Sequence, residues 1–324
     1  MCRSALLLFL SVIFLWPFGA DAQEALGVGD DASPGDRLEL AAGGLALIPD
    51  ERLPVEREEI VLAQRRIHIT YTIRNHAKDR LTRVIAWPLP EIDMNAIGDG
   101  RVALPDTVLR NFARAEATVD GARVNLKFEA RASAFARDLT AVLQESGIPL
   151  HPMAPGLETM LKALPAARLG ELEERGAILR DDDRILPNWT FNATAFWRQT
   201  FEPGKAITIV FTYQPIVGVG RWQPHMLDEW RRTYCIDKKL ESEIASRLAK
   251  SRKSIDTKRI IYAVGNEPGW WIAVPNVRVA IEKPSLDTLV ATCWPDLRPA
   301  GPTLLVSTPR EFKPADDIRV LFID

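Results

Sequence analysis

Residues 189–215, WTFNATAFWRQTFEPGKAITIVFTYQP, constrain what this chain can fold into more than any other stretch. Phe191, Ala193, Ala195, Trp197 and Phe201 share one parity, and after Pro203-Gly204 so do Ile207, Ile209, Phe211 and Tyr213. An apolar residue at every second position is the pattern of a strand with one buried face. The Pro-Gly pair suits the two central positions of a type II turn. That turn twists against a tight two-residue hairpin, which favours primed turns. Glu202 to Lys205 is therefore expected to arch between two sheets, or to pair its strands only through a wider loop.

The same period recurs elsewhere. Val55 to Ala63, Arg66 to Arg74, Leu81 to Trp87, Ala113 to Val119 and Arg123 to Ala130 read as strands. Leu38 to Leu40 and Leu45 to Ile48 are shorter candidates beside Gly43-Gly44. Asn75 closes the second of the longer runs, and Trp87-Pro88-Leu89-Pro90 turns the third off its sheet. Asp120-Gly121 is a strong hairpin signal.

From residue 134 the period becomes helical. Leu139, Val142 and Leu143 form one stripe, with Gly147 as a stop. Leu157, Met160, Leu161 and Leu164 form a second, broken at Pro165. Residues 134–186 thus read as a helical insertion between two strands of one sheet, ending in a solvated Asp181 to Asp183 run. Residues 218–230 are rich in Gly, Pro and Trp. A helix capped by Asp237 follows, with Leu240, Ile244 and Leu248 on one face. Five short strands then end the chain: Arg259 to Val264, Val277 to Ile281, Leu289 to Cys293, Thr303 to Ser307 and Ile318 to Ile323. The expected fold is mainly β. An immunoglobulin-like β-sandwich over residues 37–222 carries the helical insertion, and a β-rich C-terminal unit over 223–324 carries one helix.

Residues 1–22 have the form of an export signal. Arg3 is basic, Ala5 to Trp16 is apolar, and Ala20-Asp21-Ala22 fits a small-x-small cleavage site. The apolar run is too short for a spanning helix, which takes about 20 residues. Cleavage near Ala22 would leave a flexible leader over 23–36 and a periplasmic or secreted chain with no integral membrane segment. Lys and Arg number 41 against 43 Asp and Glu, so no basic field marks a nucleic-acid partner. Past the signal only Cys235 and Cys293 remain. In an oxidising compartment such a pair is most simply a structural disulfide. A redox or metal pair is the alternative, against which stand the long spacing and the lack of a flanking histidine.

The ordered set of motifs resembles a bacterial secreted family catalogued as domain of unknown function 4424. The residues that carry the resemblance are Ala41 to Leu47, Trp87 to Pro90, Val119 to Gly121, Gly147 to Leu150, Trp197 to Gly204 and Tyr213 to Gly218. Tyr234-Cys235 and the strand ending at Cys293 extend it. A more distant similarity in architecture is to vault and inter-alpha-trypsin-type β-sandwich domains. Neither resemblance implies an activity, so neither transfers catalytic residues.

The residues themselves favour no chemistry. Four histidines occur, His68, His76, His151 and His225, and none lies in a short metal-binding spacing. Glu91, Asp93 and Asp181 to Asp183 are candidate carboxylates for acid–base work or calcium, but surface acid is the simpler reading. There is no G-x-S-x-G elbow and no phosphate-cradling glycine loop. No catalytic residue, metal or cofactor is expected. Trp222, His225, Trp230, Trp270 and Trp271 form the one suggestive group, either a contact platform for a glycan or peptide or a plug between β-layers. The expected role is an exported non-enzymatic binding or interaction module with an envelope protein or glycan as partner. An envelope hydrolase working near residues 218–230, or a purely structural component, are the alternatives.

Overall fold

Side-chain alternation decides the architecture. The computed structural model describes residues 50–94, 102–106, 110–222, 225, 227–250, 255–262, 274–312 and 317–324. The signal, the leader and the candidate strands before residue 50 lie outside the described residues.

The first strands are β1 (Val55–Ala63), β2 (Arg66–Arg74), β3 (Leu81–Pro88) and β4 (Ile92–Asp93). Next come β5 (Val102–Ala103), β6 (Glu116–Val119), β7 (Ala122–Arg123), β8 (Lys127–Ala134) and β9 (Arg137–Asp138). Helices α1 (Thr140–Glu145), α2 (Leu157–Lys162) and α3 (Ala166–Glu174) precede the hairpin β10 (Ile178–Asp181) and β11 (Arg184–Pro187). Strands β12 (Thr190–Phe201), β13 (Ala206–Tyr213) and β14 (Val217–Arg221) lead to α4 (Leu227–Thr233) and α5 (Lys238–Lys250). The chain closes with β15 (Asp256–Tyr262), β16 (Val274–Glu282), β17 (Leu289–Ala291), β18 (Arg298–Pro299), β19 (Leu304–Val306), β20 (Arg310–Phe312) and β21 (Ile318–Ile323).

The fold is mainly β. Among the described residues a nine-stranded main sheet runs β18-β19-β16-β1-β2-β13-β6-β7, with β20 also on β16. A second sheet runs β3-β12-β8-β9, with β4 on β12, and a third runs β17-β21-β15-β14-β5. Parallel pairing of β1 with β16 gives the main sheet strands from both sides of residue 222.

The alternating residues that defined β2, β12 and β13 in the sequence all point inward. Ile67, Ile69, Tyr71, Ile73, Phe191, Ala193, Ala195, Trp197, Phe201, Ile207, Ile209, Phe211 and Tyr213 are buried in one core shared by the three sheets. Trp87 of β3 stacks on Phe211 of β13 across two sheets, ring centroids 4.2 Å apart. Pro88 is tolerated because, among the described residues, β3 lies at the end of its sheet and pairs with β12 alone.

The Pro-Gly turn arches between sheets. β12 belongs to the second sheet and β13 to the main one. Lys205 N–H donates to the Glu202 carbonyl at 3.2 Å, and Gly204 takes φ of 68°. A second arch lies beside it, where residues 75–80 carry the chain from β2 to β3. Asn75 joins the two arches. Its Nδ2 donates to the carbonyls of Asp79 and Phe201, both at 2.9 Å, and its Oδ1 accepts the Ala77 N–H at 2.8 Å. Its backbone N–H donates to the Lys205 carbonyl at 3.0 Å, and its carbonyl accepts from the Gly204 N–H at 2.8 Å. The residue is fully buried, and all its side-chain hydrogen-bonding groups are used.

Two local differences from the sequence pattern have physical causes. The Asp120-Gly121 hairpin forms, but its strands pair only at Thr118–Arg123 and Val119–Ala122. The chain then crosses to the second sheet, where β8 pairs with β12. The first helix is also shorter than the segment of helical period that begins at residue 134. Phe135 and Ala136 turn β8 back into β9, so α1 starts only at Thr140, whose N–H is held by the Asp138 carboxylate at 2.7 Å.

The helices and the hairpin between β8 and β12 have their own core of Leu139, Val142, Leu143, Leu161, Leu172 and Trp189. Trp189 donates its Nε1–H to the Leu150 carbonyl at 2.6 Å. Asp181 to Asp183 sit at the exposed tip of the β10–β11 hairpin. In the C-terminal part α4 precedes the expected helix, and Asp237 caps α5 through the Leu240 N–H at 2.7 Å. β21 is apolar on both faces for a reason: Val320 and Phe322 join the shared core, while Leu321 and Ile323 face α4 and α5.

Asn75→Ala removes three side-chain hydrogen bonds from a fully buried site. Stability should fall by about 3 kcal/mol in urea unfolding, from buried donors and acceptors left unpaired. An unchanged midpoint would show that the arches hold without it.

Candidate functional site

Two of the residues singled out from the sequence, Trp222 and Trp230, are brought together, but inward. Trp222 follows β14 and Trp230 belongs to α4. Their rings meet edge to face at 5.2 Å, and Tyr234 packs against Trp230 at 6.3 Å. Trp222 is 6% exposed and Trp230 3%, so both faces are spent on packing against Ile244, Leu321 and their neighbours. His225 is exposed. Trp270 and Trp271 lie outside the described residues.

Cys235 and Cys293 form a disulfide with Cα atoms 5.0 Å apart. It ties the α4–α5 connection to the chain just beyond β17. Both cysteines are exposed, and Cys235 has φ of 51°. Such a bond fits an extracytoplasmic location. Among the described residues no helix is long and apolar enough to cross a membrane.

The candidate carboxylates and histidines occupy different elements. Glu91 and Asp93 flank the buried Ile92 of β4, and burial, then the Asp93 charge, raise the Glu91 carboxyl above its ordinary value. His151 lies in the α1–α2 connection, packed against Phe112 and Phe191 with centroids 5.8 and 5.1 Å away. Its Nδ1 accepts the Met153 N–H at 3.2 Å, which puts the proton on Nε2, and that nitrogen is buried without a partner among the described residues. Burial pushes the imidazole down to about 4, against the opposing pull of Asp106. His151 is therefore neutral across the physiological range. Among the described residues no three His, Cys, Asp or Glu side chains converge as a metal centre needs.

Two features escaped the sequence reading. The first is a buried polar cluster between the main and third sheets. Glu58 of β1 lies opposite Tyr71 of β2, and the Tyr262 hydroxyl of β15 donates to Glu58 Oε1 at 3.5 Å. The Tyr71 and Tyr262 hydroxyls are also 3.5 Å apart. Burial pushes the Glu58 carboxyl up to about 7, with the two phenols pulling weakly the other way. The phenols of Tyr71 and Tyr262 are raised as well, first by burial and then by Glu58. One signal was available: Glu58 shares the inward parity of Ile60 and Leu62.

The second is the turn between β8 and β9. Phe135 and Ala136 have φ of 49° and 61°, the left-handed conformation at both central positions of a two-residue hairpin. Asn-Gly is the sequence that suits such a turn. Here instead a phenylalanine is held 74% exposed. Its ring lies over Gly176, where a Cβ would come within 2.5 Å of Phe135 Cε2. Gly176 also has φ of 72°, which favours glycine, and a Cβ there would displace the Phe135 ring.

Trp222→Ala should lower stability by about 3 to 5 kcal/mol, as large buried side chains do when truncated. An unchanged urea midpoint would place Trp222 outside the core. Reducing the disulfide should cost about 4 kcal/mol on the loop-entropy model, measured as the midpoint shift with and without reductant.

No curated protein sequence matches the chain. One similar solved structure is a "putative nutrient binding protein" from Legionella pneumophila, 12% identical, TM-score 0.39, with 84% of this chain and 67% of that chain covered. Another is an M1 zinc metallopeptidase from Deinococcus radiodurans, 9% identical, TM-score 0.30, with 83% of this chain and 42% of that chain covered. The chain thus spans less than half the length of that peptidase. The model of the family described as "Domain of unknown function (DUF4424)" matches residues 35–321. The match takes in both arches, the helical insertion and both cysteines, and the chain belongs to that family.

Proposed function

We propose that this protein is an exported, non-enzymatic interaction module of the cell envelope, which presents the Phe135–Ala136 tip to an envelope partner. Cleavage near Ala22 would release it to the periplasm or the exterior. The observation that carries the reading is the tip itself. Two non-glycine residues held left-handed cost about 1 kcal/mol each, and a chain selected for stability alone gains by Asn-Gly there. Strain of this kind collects at ligand-contacting positions. An exposed aromatic on a short rigid hairpin is also the kind of anchor that dominates protein interfaces.

The buried groups support the same reading. Glu58, Tyr71 and Tyr262 are enclosed between sheets, out of reach of a substrate. The hydrolase reading places a reactive group beside residues 218–230, where Trp222 and Trp230 are buried, His225 and Glu229 are exposed on separate turns of chain, and the exposed Asp228 carboxylate is paired with Arg231 at 2.7 Å.

The test replaces position 135 with a photo-crosslinking residue in living cells. Leu286, 65% exposed, serves as the control position. A discrete adduct is expected from 135 and none from 286. The double variant Phe135→Asn with Ala136→Gly should gain about 1 kcal/mol or more in urea unfolding and should lose that partner to competition assays. A double variant that loses stability, with no adduct from position 135, would mean that Phe135 serves only to cover Gly176.

A further inference from the structure

Among the described residues Glu58 is the one carboxyl enclosed at the junction of two sheets. The groups around it can be named element by element. From β2 comes the Tyr71 hydroxyl, and from β15 the Tyr262 hydroxyl. From β16 comes Val277, its apolar register partner. Behind the phenols lie Tyr213 of β13, whose charge would act on Tyr262, and Trp87 of β3, whose ring centroid is 5.8 Å from that of Tyr71. Arg57, Glu59 and Arg278 pair with one another instead: Arg57 bonds Glu59, and Arg278 reaches Glu59 at 3.6 Å. Among the described residues no cation pairs with Glu58.

A carboxylate in such a place is poorly served. The Tyr262 bond is long at 3.5 Å, and two phenols do not replace the hydration of a full charge. The neutral acid, by contrast, costs the junction little. We propose that Glu58 is a proton-operated latch between the main and third sheets: the junction closes dry around the neutral acid and admits water when the proton leaves, loosening the third sheet together with the α4–α5 pair that it carries. The latch would make an exported protein respond to the pH of its surroundings. It stands independently of the partner reading above.

The direction follows from linkage. The unfolded carboxyl titrates near 4.5 and the folded one near 7. Stability is therefore full below pH 4.5, declines as pH rises through that window, and levels off above 7. Across it the ratio of folded to unfolded chains should fall by about two and a half orders of magnitude.

The experiment follows amide hydrogen exchange and urea unfolding of the full chain from pH 4 to 9, for wild type and Glu58→Gln. After correction for intrinsic exchange, β15 and β21 should lose protection as pH rises while β12 keeps its own. Glu58→Gln should abolish that change. His68, which burial holds below its ordinary value, is present in both chains and cannot cause a difference between them. A second variant, Tyr262→Phe, guards against misfolding of the first. It removes a bond that favours the charged acid, so the midpoint should move to higher pH. The proposal is overturned if wild type and Glu58→Gln share one pH profile. It is equally overturned if β12 and β15 lose protection together, or if Tyr262→Phe leaves the midpoint in place.

Discussion

The hydrogen bonds of Asn75 are the constraint on which the layered architecture rests. Chains that pass between sheets must arch, and arches leave backbone groups without ladder partners. This protein makes two such passages side by side, β2 to β3 and β12 to β13. One amide side chain bonds a carbonyl in each passage, and its own backbone closes on the Pro-Gly turn. Aspartate could accept but not donate at this position, and a longer glutamine would not fit a fully buried site. With the arches fixed, Trp87 and Phe211 face each other and the core closes around their stack.

Around that core the fold encloses polar groups that a minimal β-structure would avoid. Glu58 is kept neutral by burial below about 7, and His151 is kept neutral by burial above about 4. Each sits where different parts of the chain meet: Glu58 between the main and third sheets, His151 against Phe112 and Phe191 beside the inserted helices. Buried polar groups can specify one arrangement of layers over another, because a displaced layer leaves them unpaired or wet. The exposed counterpart is Phe135, an apolar group in a costly backbone conformation. Function is sought at these positions because local preference and global fold disagree there.

Much of the fold was legible. The alternation in β2, β12 and β13 gave both the strands and the inward-facing residues, since one face of each meets a core and the other does not. Pro203-Gly204 announced an arch through its turn type. Asp237, Gly147 and Pro165 marked helix ends through capping and backbone chemistry. The site was far less legible. The sequence left Trp222 and Trp230 open between a contact platform and a packing plug, and the helix pair that folds over both decides for packing. Phe135 lay inside a segment read as helical, and nothing local announced a left-handed turn there. Glu58 carried a weak sign in its parity, obscured by Glu56 and Glu59 on either side.

By itself the sequence determined strand-forming segments, their buried faces, the turns that end them and the two cysteines available to pair. These follow from forces acting within a few residues, namely side-chain period, turn geometry and capping. Only the tertiary structure decided which sheet each strand joins, that β1 lies parallel to β16, and that the indoles close a core. It alone brought Glu58 to Tyr262, 204 positions apart. A residue's exposure and its protonation depend on what packs over it, and that is supplied by chain far away in sequence.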